Sequence, residues 1–318
     1  MHVVITGAAG FVGAALARRI LAMGLPGMPI LSRLTLVDRH IDGLPNDARV
    51  QVIAGDFGAL AVLDMVFDTP VDVLFHLASV PGGQAEREFS LGYQVNLIAP
   101  LTLFQRVATQ GAGRVAHVVY ASSIAVYGSV LPEHVDADTP ARPGMSYGAH
   151  KLAGEIVLAD LSRRGMVHGI SLRLPGIVAR PGLSGGHGSA FMSAIMRAAE
   201  AGMTYDCPVS PQASCWWMSV ECCVDNLLHA ATVAGQASVG ADRAVTLPVL
   251  RLQVDAVVAA LARRFGKAAA AGIRFQPEPA IEQVFGRMPA MANDAAWRLG
   301  FRHDGDADLL VRRSLATG

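Results

Sequence analysis

His2-Val3-Val4-Ile5-Thr6-Gly7-Ala8-Ala9-Gly10-Phe11-Val12-Gly13 is the stretch that decides the fold. Its first five residues form a short apolar run of the kind that makes a buried parallel strand. That run passes straight into glycines at 7, 10 and 13 and then into a helical pattern from Ala14 to Met23. Three glycines at this spacing are, by themselves, also ordinary turn chemistry. Between a first strand and a helix they allow a tight turn and a close backbone approach to a pyrophosphate, which can rest on the free N–H groups and positive dipole end of the helix. The placement selects dinucleotide binding through Gly7, Gly10, Phe11, Val12 and Gly13.

Working outward, a Pro/Gly-rich loop from Gly24 to Arg33 leads to a second strand, Leu34–Asp38, that ends in an acid. A carboxylate there accepts hydrogen bonds from the adenosine ribose and repels a 2′-phosphate, favouring NAD over NADP. Arg39 works in the opposite direction, and a solvated acid at a strand end is the plain alternative. The third strand, Val50–Ala54, closes on Gly55-Asp56-Phe57, where Asp56 is placed to meet the adenine edge with Phe57 beside it. The fourth, Asp72–Leu77, runs into Ala78-Ser79-Val80 and Pro81-Gly82-Gly83-Gln84, whose small residues let a cofactor lie close to the strand end. A helix is expected from about Glu86 to Gln110, carrying Asn96. The fifth strand, Val115–Tyr120, leads into Ala121-Ser122-Ser123-Ile124-Ala125-Val126-Tyr127-Gly128. Ligands bind beyond the carboxyl ends of strands in open α/β sheets, so Ser122 and Ser123 either face a ligand or cap a turn.

Ser146-Tyr147-Gly148-Ala149-His150-Lys151 follows a Pro/Asp-rich loop, Leu131 to Met145. On a helix, residues four apart share a face, so the Lys151 ammonium and the Tyr147 phenol point to one place. A phenol titrates near pH 10, and a neighbouring cation favours its phenolate, a usable base. The same spacing occurs by chance on many helix surfaces. This helix runs to about Arg164, before a sixth strand, Ile170–Leu174.

Beyond it, Pro175 to Arg180 is placed at the nicotinamide end, with Pro175 and Ile177 against the cofactor. A glycine-rich loop, Pro181 to Gly188, holds His187, which either touches substrate or is simply solvated. Helices are expected over Ser189–Ala201, Val220–Ala234 and Val254–Phe265, an irregular segment over Asp206–Trp217, and a short strand over Ala244–Leu247. The remainder reads as short helices, with Asn293 a cap for one running through Leu299.

Composition narrows the class. The 318 residues are 52% hydrophobic and 16% charged, with Lys+Arg and Asp+Glu both at 26, which provides no electrostatic attraction to nucleic acid or an anionic membrane. Apolar runs are short and broken, and the N-terminus is a strand pattern rather than a leader, so neither a signal peptide nor a membrane span is expected. Cys207, Cys215, Cys222 and Cys223 lack a paired CxxC arrangement. They read as reduced structural thiols in the cytoplasm, with no metal site.

TGAAGFVG, the terminal Asp38, Gly55-Asp56-Phe57, HLAS, Asn96, YASSIAVYG and YGAHK, in this order and spacing, resemble the extended short-chain dehydrogenases/reductases, the NAD-dependent epimerase/dehydratase family. The resemblance spans nearly the whole chain, and a TGxxGxxG opening joined to a Ser and YxxxK set is far more specific than either motif alone. It implies an α/β Rossmann fold, a doubly wound parallel sheet over 1–175 and 220–250, with a smaller, discontinuous C-terminal substrate lobe over 176–219 and 251–318. It implies NAD, held by the glycine turn, Asp38, Asp56, Phe57, Leu77, Ala78, Ser79, Asn96, Tyr147, Lys151, Pro175 and Ile177. Ser123, four residues before Tyr127, becomes the catalytic serine beside Tyr147 and Lys151, with Ser122 in reserve. Ser79, Ser123, Tyr147 and His187 become substrate contacts, and the assembly a homodimer.

Within that family, SRLTLVD, AGDF, QAEREFSLGYQVN, RRG, LRLPGIVARPG and NLLHAA look most like a dehydrogenase that oxidises the 2-hydroxyl of a four-carbon sugar acid. The alternative is a nucleotide-sugar epimerase or dehydratase, and a catalytically idle NAD-sensing or partner-binding member is opposed by the intact Ser123, Tyr147 and Lys151. Epimerases of this family usually carry an arginine for the nucleotide diphosphate ahead of an aromatic and a short strand. This chain has Cys215-Trp216-Trp217-Met218-Ser219-Val220 there, without the cation. An enclosed diphosphate without a charged partner is costly.

Overall fold

The computed structural model describes residues 1–111, 113–182 and 188–315. By contacts the chain divides into two units: Met1–Val126, Ala141–Leu174 and Val224–Thr246 form the first, and Tyr127–Pro140, Pro175–Cys223 and Leu247–Gly318 the second.

The first unit is built on a seven-stranded sheet: β1 (His2–Thr6), β2 (Arg33–Asp38), β3 (Val50–Ala54), β4 (Val73–His76), β5 (His117–Ser123), β6 (His168–Leu174) and β7 (Ala244–Thr246). Its spatial order is β3-β2-β1-β4-β5-β6-β7, and every pairing is parallel. The apolar runs read as strands because both sheet faces are covered; all of His2–Thr6 and Val73–His76 is buried. Strand order reverses between β1 and β4, where Thr6 pairs with Val37 on one side and His76 on the other. In a doubly wound sheet that reversal opens the ligand crevice. One side of the sheet packs Val4, Val37, Leu74 and Val118 against Leu103, Phe104 and Leu158.

The expected helix over Glu86–Gln110 is broken in the structure. It comprises Gly82–Arg87, Phe89–Tyr93, a π turn over Gln94–Ile98 and an α-helix Ala99–Ala108. Glu88, at φ −116° and ψ 67°, makes the first break, and the π turn carries Asn96 into the interior, where it is 1% exposed. Helical periodicity persists through such irregularities, so the break was invisible in the sequence.

The second unit holds a three-stranded sheet in the order Leu250–Gln253, Ser214–Ser219, Gly176–Val178, and a parallel pair, Tyr205–Cys207 with Ile273–Phe275. The segment 206–217, expected to be irregular, therefore ends in strand at both sides. A further two-residue pair joins His134–Val135, within the expected loop, to Ala290–Met291. Phe191, Ile195, Trp217, Val257, Leu261 and Leu310 fill the core. Asn293 occupies the N-cap position of the Asp294–Arg298 helix without a side-chain cap; its Nδ2 donates to the Met291 carbonyl at 3.5 Å. The side-chain cap in this region is instead Asp306, whose carboxylate accepts from Leu309 N at 2.8 Å.

All four cysteines are free and buried. Burial pushes the Cys215 thiol up to about 12, and no group of His, Cys, Asp or Glu able to hold a metal occurs among the described residues. No helix there is long and apolar enough to cross a membrane.

Candidate active site

The glycine turn is locked to its neighbours. Gly7 has φ 72°, and a Cβ on it would stand 2.7 Å from Ala78 N. A Cβ on Gly13 would stand 2.1 Å from the Gly7 carbonyl oxygen, so a side chain at Gly7 would push the turn off the end of β4 and one at Gly13 would push the helix off the turn. Gly7 N donates to Val37 O at 2.9 Å, tying the turn to β2. The helix Phe11–Met23 starts at Gly10, which is exposed and supplies no side-chain cap. Its first N–H groups thus keep their capacity for an anion, the arrangement a pyrophosphate requires. Phe11 and Val12 are partly exposed on that first turn.

Asp38 ends β2 with its Oδ2 accepting from Ala9 N at 2.9 Å and Oδ1 from His40 N at 3.2 Å. The acid braces the glycine turn from inside and retains lone pairs for a ribose. Asp56 accepts from Gly58 N at 2.9 Å, so it shapes its own turn. The Phe57 ring turns into the core. It is 7% exposed, packed with its centroid 4.9 Å from that of His76.

At the end of β4, Leu77 and Ala78 are partly exposed and Ser79 is exposed. Asn96 holds this segment: Oδ1 accepts from Val80 N at 2.8 Å and Nδ2 donates to Val80 O at 2.9 Å. Both ends of its amide are thus engaged by the backbone of Val80, directly after Leu77–Ser79.

The serines separate. Ser122 is 2% exposed and its hydroxyl donates to Glu155 Oε1, so it faces the interior. Ser123 is partly exposed, its oxygen accepting from Ala125 N at 3.1 Å while its proton stays available.

Tyr147 and Lys151 lie on the helix Ser146–Arg163. Two contacts set its start. Ser146 N donates to Glu86 Oε2 at 2.9 Å, and Gly148 fits so closely over the Ala125 carbonyl that an added Cβ would come within 2.4 Å of it. Ala125 also binds Ser123, so the same turn connects serine and tyrosine. Gly82 backs the partly exposed Tyr147 ring, a Cβ there lying 3.5 Å from the ring.

Lys151 is 2% exposed. Its Nζ donates to Ala121 O at 2.7 Å and lies 4.8 Å from the Tyr120 ring centroid and 5.7 Å from that of Tyr147. Burial pushes its amine down to about 7, while Glu155 pulls it back up. His76, fully buried with Nδ1 2.6 Å from Thr6 Oγ1, is driven well below the usual histidine range by burial and by Lys151. Tyr120 is driven well above the usual phenol range, by burial first and then by Tyr147 and Glu155.

Sequence reasoning missed Glu155, Arg173, Glu86 and Gly82. Glu155 had a signal: it continues the four-residue step from Tyr147 through Lys151. The others join across long sequence separations that carry no pattern. In the second unit, Pro175 and Ile177 are buried, Ile177 pairing with Met218. His187 lies outside the described residues. Cys215 is 1% exposed and its thiol donates to Phe285 O at 3.2 Å.

A parallel, doubly wound sheet with a glycine turn at its reversal, and beside it a partly exposed tyrosine one helical turn from a buried lysine, defines a nicotinamide-dependent α/β enzyme. The chain matches the NAD dependent epimerase/dehydratase family over residues 3–237 and belongs to it. It is an NAD-dependent oxidoreductase. It is 40% identical over 317 residues to the D-erythronate dehydrogenase of Cupriavidus necator, covering 98% of this chain and 97% of the relative. It is 30% identical over 315 residues to the D-erythronate dehydrogenase of Haemophilus influenzae, covering 98% of each. A solved nucleoside-diphosphate-sugar epimerase from Agrobacterium tumefaciens is 32% identical, with a TM-score of 0.91 over 100% of this chain and 94% of that one.

Proposed function

We propose that this enzyme oxidises the 2-hydroxyl of a short sugar acid, D-erythronate or a close homologue, to the 2-oxo acid. NAD, when bound, supplies the hydride acceptor. Gly7 to Gly13 would receive its pyrophosphate and Asp38 its adenosine ribose. Tyr147, as phenolate, takes the hydroxyl proton, and Ser123 donates a hydrogen bond to the same oxygen as it becomes a carbonyl. Lys151, as ammonium, favours the phenolate and would also hold the nicotinamide ribose.

The observation that most supports a small acid is Cys215, a buried neutral thiol where nucleotide-sugar enzymes carry a cation. A single carboxylate can be held by neutral donors such as backbone N–H groups and the exposed Ser79. The name of the Agrobacterium relative favours the epimerase reading instead, and one experiment separates the two. C4 to C6 aldonic acids are offered from neutral to mildly alkaline pH with NAD and NADP in parallel, and UDP-glucose is titrated calorimetrically. NADH formation from a short 2-hydroxy acid, little NADPH and no UDP-glucose heat are expected. Micromolar UDP-glucose binding with no NADH from any acid would replace this reading with the epimerase.

We also infer a homodimer through the helices that carry Asn96 and Tyr147. Phe89 and Ile156 are 59% and 62% exposed, large for apolar side chains. The Phe89 and Tyr93 rings lie 6.4 and 5.9 Å from that of His150, which places this apolar surface beside the Tyr147 helix. Light scattering at micromolar concentration should report twice the chain mass; a monomer would reject the interface.

A further inference from the structure

We propose that Glu155 is a positioning residue: its buried carboxylate, held by Arg173 and Ser122, keeps Lys151 cationic beside Tyr147. The proposal rests on the Ser-Tyr-Lys reading above. Tyr147, Lys151 and Glu155 step by four along one helix face, from the partly exposed ring to the interior. Glu155 is 3% exposed. It accepts from Arg173 Nη2 at 2.8 Å and Nε at 3.1 Å and from the Ser122 hydroxyl. Ser122 stands between Ala121, whose carbonyl receives Lys151 Nζ, and Ser123. One carboxylate thus joins the Tyr147 helix to the carboxyl ends of β5 and β6.

An ion pair this deep costs desolvation and contributes little net stability. Its placement next to a buried amine gives it a different value. The titratable groups facing Lys151 are Tyr147 and Glu155 from its own helix, Tyr120 from β5 and His76 from β4. Arg173 reaches in from β6 onto Glu155, and Glu86 lies at the helix start, near His150. Tyr120 and His76 are both held neutral by burial. Glu155 is therefore the anion that opposes the desolvation of Lys151.

The chain has two lysines, Lys151 and Lys267, and Lys267 is exposed, so carbon-13-lysine protein gives one buried and one reference resonance. Titrating these in wild type, Glu155→Gln and Arg173→Gln reads Lys151 directly. Glu155→Gln should move the Lys151 midpoint acidward by about one pH unit or more, and Arg173→Gln alkaline-ward, because each removes one sign of charge. The alkaline limb of kcat/KM should follow in the same directions. A role in packing alone loses the same ion pair in both variants, so equal shifts, or no acidward shift in Glu155→Gln, would overturn the proposal. If either single variant fails to fold, the double variant E155Q/R173Q decides. Its paired amides can still hydrogen-bond, and an acidward shift is expected; an unmoved midpoint overturns the proposal. The lysine titration needs no turnover, so it stands or falls apart from the catalytic reading, which fails separately if Tyr147→Phe remains active.

Discussion

Tyr147→Phe is expected to lower kcat/KM by roughly 10²–10⁴-fold, the range lost when a positioned general base is removed. NAD affinity should stay near wild type. The partly exposed ring is backed by Gly82, and phenylalanine keeps the ring while removing the phenolic oxygen alone. Lys151 keeps its bond to Ala121 O, so its position does not depend on the phenol. Steady-state kinetics with a turning-over aldonate, beside calorimetry with NAD, checks both halves. Turnover within about tenfold of wild type would remove Tyr147 from the chemistry, since that is only ~1.4 kcal/mol of barrier.

Lys151→Met separates stability from function. The amine is fully buried, and burial lowers it to about 7 from 10.5. Between those values the unfolded chain binds more protons than the folded one, so this group's contribution makes stability rise with pH across that window. At and below about pH 7 the folded state carries the penalty in full, on the order of a few kcal/mol. Methionine is of similar length and apolar. It should raise the melting temperature at pH 6–7 and remove this part of the pH slope, while turnover falls by roughly 10²-fold or more through loss of the phenolate's partner. Cysteine and tyrosine titrations contribute an opposing slope at higher pH, so the informative quantity is the difference between the two proteins from pH 6 to 8.5. A variant that is less stable at pH 6, or equally active, would contradict the account.

The Rossmann half was legible because its determinants are local. The strand ends, the glycine turn and the four-residue step from Tyr147 to Lys151 are periodic patterns of adjacent residues. The structure adds what depends on side chains meeting across the fold. Motif position ranked Ser123 ahead of Ser122; what the structure adds is pleat alternation, which turns Ser122 inward to a glutamate 33 residues away. The contact of Asn96 with Val80 could not be read from the sequence, because the π turn that aims its amide there leaves the helical pattern intact. Phe57 stood at a strand end yet packs on His76, since an apolar ring there is buried more favourably than it is solvated. Residues 206–217 hid two short strands, for three-residue edges such as Tyr205–Cys207 are too brief to show alternation.

The central claim is oxidation at the carbon bearing the 2-hydroxyl, and hydrogen tracing tests it most directly. A short aldonic acid that turns over is prepared with deuterium at C2 and, separately, at C3, and the NADH formed is analysed by mass spectrometry. The account predicts singly deuterated NADH from the C2-labelled acid, a slower rate with that acid, and unlabelled NADH from the C3-labelled one. Unlabelled NADH from the C2-labelled acid, or label arriving from C3, would contradict it.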